Sequence, residues 1–406
     1  MRANSLEKQK KSKFNFFVLT LMLFLVVFPK GGIKFKNIPI TWGYLLLAII
    51  SLFLLFRKKY FVRKEHIYSL IALLPFQIYS LLSIYINGID SFGFFISFLV
   101  SFLFLPFIFF FVFSEYIENL DLDYFFKIFK RSILFISSYG IFLFFYRGFF
   151  GSLFEIPLLT ANWHEKGLLE NIKCINHRGF FLKLISTYNN GNIYGICLLM
   201  VLPLYKYLEK SSLKKSIVKL SIILTLSRTV WIGFIISEFF FNFFIIKNKK
   251  KSLIKFLISS FCFITILLIF AKFYLHKPFN WYFDTTLGGR LVDKSFEVNF
   301  FSNLPFINIE EMVYLSIFNT FGFFGLILFI IGMCFSLFYY LFKNMNSEKS
   351  PIDMCIFFGL LTYLIISISD SASLYLPVMA FYWFLSSFLH THKDISYEFS
   401  KKSYKN

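Results

Sequence analysis

Residues 218–246 read VKLSIILTLSRTVWIGFIISEFFFNFFII, and how this stretch crosses a membrane decides the fold. A span needs roughly 20 apolar residues; this run is longer and carries Ser227 and Arg228 near its middle. An unpaired Arg at mid-bilayer costs at least ~2.5 kcal/mol on the mildest scale. Two short spans meeting at a polar elbow, Ser227-Arg228, solve both problems, because irregular backbone is tolerated where it lines a wet or protein-walled cavity. Arg228 is then placed for anionic chemistry.

Outward from that elbow the rest of the chain is equally apolar. Hydrophobic residues make up 57% of 406 positions and charged residues 16%, against roughly 25% charged in soluble proteins. The expected fold is an all-α polytopic membrane protein, one integral membrane domain over 1–406 with about 12 transmembrane helices. Spans are predicted near 14–29, 38–56, 67–86, 92–113, 132–150, 192–208, 218–227, 230–246, 256–274, 312–342, 352–369 and 374–390. The 312–342 run exceeds one span, so a short surface turn is expected before Gly322 and a membrane helix after it.

Placing both termini inside leaves 1–13, 57–66, 114–131, 206–219, 247–255, 343–351 and 391–406 cytoplasmic, and these pieces hold 29 of the 42 Lys and Arg. That bias follows the positive-inside rule. Reading 218–246 as one span would turn Lys247, Lys249, Lys250 and Lys251 outward, against the rule. The net charge of +20 is thus a matter of sidedness, with no nucleic-acid partner expected. Lys30, Lys34 and Lys36 are exceptions on the outer side; Lys30 and Lys36 can snorkel at span ends. The basic N-terminus and the apolar run from Phe14 to Phe28 lack a small-residue cleavage site and read as a retained first span. Five cysteines, all but Cys174 in apolar runs, show no disulfide framework or metal spacing.

Two external segments, about 147–190 and 276–310, are too long for simple turns and contain aromatic residues, which favours a functional role over disorder. The inner connections are short, and Glu115–Arg131 reads as an amphipathic surface helix. With no nucleotide-binding loop and no two matching halves, ATP-driven work and a repeat-built transporter lose ground.

Polar residues concentrate on the outer side. Arg178, Arg228 and Arg290 present guanidinium forks that grip phosphate oxygens in pairs. The plain alternative is that loop arginines are solvated or paired with nearby acids. Glu310 and Glu311 open an apolar helix, either as acids at a helix start or as a general base; Asp284 and Asp370 are also open candidates for that base. Asn189, Asn190 and Asn192 around Gly191 make either a turn and N-cap or a set of amides that bind a sugar. None of the six histidines pairs at metal-ligand spacing.

Several segments together resemble the O-antigen polymerase/ligase superfamily. Arg178-Gly179, then Thr187 to Gly195 and Pro203, is similar to its Arg followed by Gly-Thr-Phe-x-Asn-Pro-Asn-x-x-Gly. Leu224 to Gly233 is similar to its Leu-Thr-x-Ser-Arg-x-x-Trp segment, and Gly288-Gly289-Arg290 to its Ser-Gly-Arg. Glu311 to Leu315, with Gly322 and Gly325, resembles its His-Asn-x-Tyr-Leu … Gly-x-x-Gly segment. Gly191 replaces the usual Pro, and Met312 an Asn. Glu311 stands where ligases carry a His, which is more like the Wzy-type polymerases.

The resemblance spans Arg178 to Phe329 and implies repeat-unit polymerisation by glycosyl transfer at the outer face of the bacterial cytoplasmic membrane. The donor and acceptor would be undecaprenyl-diphosphate-linked oligosaccharides; a chain-length regulator and a flippase are the candidate partners, with no cofactor or metal. The implied catalytic residues are Glu311, Arg290 and Arg228; Arg178, Asn190, Asn192, Ser227 and Tyr314 would bind substrate. An O-antigen ligase is the alternative within the family. A flippase for lipid-linked sugars is the alternative from another class, and a channel-like structural protein would leave the outer arginines unexplained.

Arg228→Ala and Arg290→Ala are each expected to abolish polymer while the protein stays in the membrane. Lys at position 290 should rescue poorly if fork geometry matters. Near-normal surface polysaccharide on a gel from both Ala variants would rule out the diphosphate role.

Overall fold

The computed structural model describes residues 16–35, 38–55, 62–160, 177–178, 181–188, 190–246, 249–269, 272, 299–302, 304–343 and 350–390. Its helices are α1 (Phe16–Val27), α2 (Trp42–Leu55), α3 (Lys64–Asn87), α4 (Phe92–Val112), α5 (Ser114–Glu118) and α6 (Leu122–Phe150). They continue as α7 (Gly191–Leu208), α8 (Ser212–Ile223), α9 (Arg228–Ile245), α10 (Lys249–Ile269), α11 (Val313–Lys343), α12 (Pro351–Ile366) and α13 (Leu376–Phe388). Two small antiparallel hairpins accompany them, β1 (Gly32–Phe35) with β2 (Ile38–Thr41) and β3 (His177–Arg178) with β4 (Phe181–Leu182).

Among the described residues, six helices (α3, α4, α6, α7, α9 and α11) are long and apolar enough to cross a membrane. The chain is therefore a helical, multi-pass membrane protein. Helices overlap each of the twelve predicted positions, but α1, α2, α8, α12 and α13 are only 12–16 residues long, and α8 (Ser212–Ile223) lies largely in the segment expected to connect two spans.

The stretch 218–246 is broken where the membrane argument requires. α8 stops at Ile223 and α9 starts at Arg228. The carbonyls left at the end of α8 are each used: Ile222 accepts from Thr225 Oγ1 (2.7 Å), Ile223 from Trp231 Nε1 (2.9 Å) and Leu224 from the Leu184 amide (2.9 Å). Orphan carbonyls at a helix end need such partners, most of all away from water.

α7 is the central helix, buried along almost its whole length. It is also the least apolar of the six long helices, as expected of a segment that faces protein on every side. It crosses α12 at Gly359, where a Cβ would fall on the Met200 carbonyl. It meets α9 at Gly195, whose Cβ would lie 2.5 Å from Val230, while a Cβ on Gly233 of α9 would lie 2.5 Å from Leu199 and 2.9 Å from Ile366. Small residues let membrane helices approach closely enough for dispersion to hold them. α3 packs on α11 in the same way, with Gly332 against Leu73 and Gly325 against Tyr79.

α7 and α9 run parallel, and α12 runs antiparallel to both. One end of this trio is ionic. Lys206 of α7 and Lys219 of α8 reach the two oxygens of Glu238 on α9, at 2.8 and 3.1 Å. Nearby, Lys130 pairs with Glu209, Arg63 with Glu118, and Lys343 with Glu65. These pairs join segments 57–66, 114–131, 206–219 and 343–351, which the charge count had already grouped on one side.

Three expectations need correction or completion. Glu115–Arg131 is not a separate surface helix: α5 ends at Glu118, and Asp121 caps α6, accepting from the Tyr124 amide (3.2 Å), so 122–131 opens the long helix itself. The segment before Gly322 is no surface turn but a partly buried helix, with Val313, Ser316, Ile317 and Phe321 turned inward, continuous with α11 up to Gly322, whose φ of 72° breaks it. The amides of Phe323 and Phe324 are satisfied by the carbonyls of Asn299 and Phe300 (both 3.0 Å), so the returning loop closes the kink. Lys30 lies 5.2 Å over the Tyr375 ring, a cation–π contact that accounts for it better than snorkelling.

Gly359→Ala is expected to destabilise the protein by more than the ~1–3 kcal/mol typical of overpacking, because the obstacle is main chain and cannot rotate away. Thermal unfolding in detergent measures this; an unchanged midpoint would contradict the close crossing.

Candidate functional site

At the end of the trio opposite the ion pairs, four segments converge: 183–192, the elbow 224–229, 310–312 and 367–373. The first is led into α7 by local chemistry. Ser186 has φ of 50°, and its hydroxyl is anchored to the Ile136 carbonyl (2.7 Å). Asn190 is the N-cap of α7, its side chain accepting from the Asn192 amide at 2.8 Å.

Three buried side chains then form a line. Lys183 Nζ donates to Asn192 Oδ1 (2.9 Å), and Asn192 Nδ2 donates to Asp370 Oδ2 (2.6 Å). Lys183 is 3% exposed and Asp370 2%, so a cation and a carboxylate are held inside the protein, one amide apart. Gly191 permits this course: a Cβ there would lie 3.0 Å from Lys183 Cβ and 2.9 Å from the Leu184 carbonyl.

The segment carrying Asp370 follows α12 and is tied to each neighbour. The Asp370 amide donates to Ile366 (3.0 Å), so the carboxylate sits at the carbonyl end of α12. Macrodipoles disfavour a negative charge there, while the start of α7, presented by Asn192, favours it. Ser369 Oγ and Thr229 Oγ1 lie 2.7 Å apart, linking the segment to the start of α9. The Ser371 amide donates to the Glu311 carbonyl (2.8 Å), linking it to the approach of α11.

Backbone strain gathers here as well. Among the described residues four non-glycine residues have positive φ, and three of them, Ser186, Leu226 (49°) and Ala372 (48°), lie in these segments. Each such residue costs of order 1–3 kcal/mol and persists where its surroundings over-determine it, commonly at functional sites.

The residues expected to act are distributed unevenly around this cluster. Arg228 begins α9 and is half-buried, and Ser227 precedes it at the N-cap position, buried. Asn190 takes the plain role of an N-cap. Asn192 is engaged on both amide atoms by protein. The side chain of Glu311 is exposed, beside the Asp370 segment through its main chain. Tyr314 points its hydroxyl into the bundle, donating to the Leu364 carbonyl (2.9 Å). Arg178 lies in β3, paired with Phe181. Arg290, Asp284 and Asn189 lie outside the described residues.

Lys183, Thr229 and Ser369 were not singled out by the sequence. Lys183 had a usable signal, as the one charge in the apolar run Phe180-Phe181-Leu182-Lys183-Leu184-Ile185. Thr229 and Ser369 had none, since each is an ordinary polar residue next to a span.

Chemically, the cluster offers an anion the start of α9 with Arg228 on it, while the start of α7 is buried and already engaged by the Asn190 cap and, through Asn192, by Asp370. Glu311, whose side chain is exposed, is joined to the same cluster through its main-chain carbonyl. Among the described residues no group of His, Cys, Asp and Glu could hold a metal ion. Compared with known protein families, with curated proteins and with solved structures, the chain finds no match.

Position 372 tests the strained backbone. Ala372→Gly relieves ~1–2 kcal/mol of left-handed strain but loses a buried methyl and adds chain entropy, about the same amount together; its unfolding midpoint should barely move. Ala372→Val, β-branched at positive φ, should be clearly destabilised. Equal midpoints for the two variants would show that the strain is absent.

Proposed function

We propose that this chain is a membrane glycosyltransferase that polymerises undecaprenyl-diphosphate-linked oligosaccharide repeat units into O-antigen, capsular or exopolysaccharide. It would work at the outer face of the bacterial cytoplasmic membrane, with about twelve spans and both termini inside. The observation that carries this reading is the cluster at one end of the bundle: Arg228 on the elbow, the starts of α7 and α9, and Glu311 beside them. Three of the four family-like segments supply its parts.

In this reading the acceptor hydroxyl attacks the anomeric carbon of the donor sugar. The bond from that carbon to the lipid diphosphate breaks, and the diphosphate leaves with the electron pair. Glu311, an exposed acid, takes the hydroxyl proton. Arg228, with Arg178 and Arg290, holds the diphosphate and meets the charge that develops on it. The energy of the reaction sits in the lipid-diphosphate bond, so no nucleotide enters the scheme. Ser227 and Asn190 would stand near the bound diphosphate, while Asn192 and Tyr314 act through the protein groups they hold. Polyprenyl tails would lie against the Phe-rich outer helix faces, and a flippase and a chain-length regulator would be the working partners.

A gel profile of surface polysaccharide from a strain lacking the gene, beside the wild type, tests the assignment. Loss of the long-chain ladder with a single repeat unit still attached to its acceptor is expected. Long polymer accumulating on undecaprenyl diphosphate would mean a ligase instead. Single units trapped on lipid at the inner face would mean a flippase.

A further inference from the structure

The cluster contains three acids: Glu310 and Glu311 are exposed, whereas Asp370 is buried. Asp370 is 2% exposed, and one of its oxygens is held at 2.6 Å by the Asn192 amide. We propose that Asp370 is a positioning residue: joined through Asn192 to Lys183, it holds the starts of α7 and α9 and the Glu311 main chain in one arrangement. This inference rests on the glycosyl-transfer reading above.

The connections make the case. Ser369, just before Asp370, touches Thr229 on the first turn of α9, next to Arg228. Ser371, just after it, donates its amide to the carbonyl of Glu311. Ser371 Oγ also accepts from the Ser373 amide (3.3 Å), which tightens the turn around Ala372. A displacement of Asp370 therefore moves the arginine and the proton acceptor together. Effective proximity in catalysis depends on such fixed placement, and small misplacements far from the chemistry lower rates strongly.

Charge balance explains why the line of contacts includes Lys183. The carboxylate sits at the unfavourable end of α12, and the ammonium, reached through a polarised amide, supplies opposite charge inside the same apolar enclosure. Gly191 leaves room for the lysine stem beside the start of α7. A positioning unit of this kind needs hydrogen bonds and neutrality, not ionisation. Removing both charges together should preserve it, whereas a proton acceptor could not survive the change.

The test uses the full-length gene reintroduced into the deletion strain, with surface polysaccharide, membrane protein level and thermal unfolding in detergent read for each variant. D370A and N192A are expected to lose the ladder. K183Q/D370N is expected to restore polymer to within about fivefold of wild type, the difference between a charged and a neutral hydrogen bond. E311Q is expected to lose about 100-fold or more, as for a missing proton acceptor. A K183Q/D370N protein that accumulates normally yet makes no polymer would overturn the proposal, because the Asp370 carboxylate would then be needed for itself.

If that double variant does not accumulate, the unfolding midpoints of N192A, D370A and N192A/D370A decide. Strong non-additivity is expected of one connected unit; simple additivity would overturn it. Failure of the wild-type gene to restore a ladder would instead remove the glycosyl-transfer reading, and the unfolding cycle would still report on the chain of contacts.

Discussion

The close crossing of α7 and α12 is the contact on which the rest of the architecture depends. Gly359 has no side chain, so α12 lies directly on the Met200 carbonyl of α7. In lipid no hydrophobic force pushes helices together; packing and polar contacts between them must suffice. That crossing brings the end of α12 to the start of α7, and Gly195 and Gly233 draw α9 in beside them. Polar groups then pin the trio at both ends, Asn192 with Asp370 at one and Lys206 with Glu238 at the other.

Where helices break, the freed backbone is repaired by something specific. Trp231 and Leu184 close the end of α8, and Asn299 and Phe300 close the kink at Gly322. α4 loosens into π-helical turns on either side of Pro106, and its Ser101 and Phe102 carbonyls accept from Trp383 Nε1 and Gln77 Nε2, both 2.8 Å. Apart from Trp231, eight residues from the carbonyl it serves, each repair comes from a segment at least twenty residues away. The breaks are thus where long-range order enters an otherwise local, helical fold, and the polar cluster forms at one of them.

Much of this was legible in the residues. The elbow follows from run length and from one arginine in an apolar stretch, both one-dimensional quantities. The N-cap role of Asn190 follows from an amide placed before a helical run. The pairing of segments 57–66, 114–131, 206–219 and 343–351 with one another agrees with their lysine and arginine content. Asn192 was noticed for its neighbours, but its double engagement could not be read, because Lys183 and Asp370 stand far from each other in the chain. The left-handed residues Ser186, Leu226 and Ala372 gave no sign either, since none is glycine and the conformation is imposed by surroundings.

The sequence by itself determined that the chain is helical and membrane-embedded, that the run 218–246 breaks near Ser227-Arg228, and which segments carry positive charge. These follow from local hydrophobicity, which acts residue by residue against the bilayer. Only the tertiary structure decided which polar residues come together, which acid is buried and which exposed, and that a lysine from the loop before α7 balances an aspartate after α12. Such pairings depend on how helices cross, and crossing is set by shape at contacts such as Gly359 and Met200, which no local pattern of residues records.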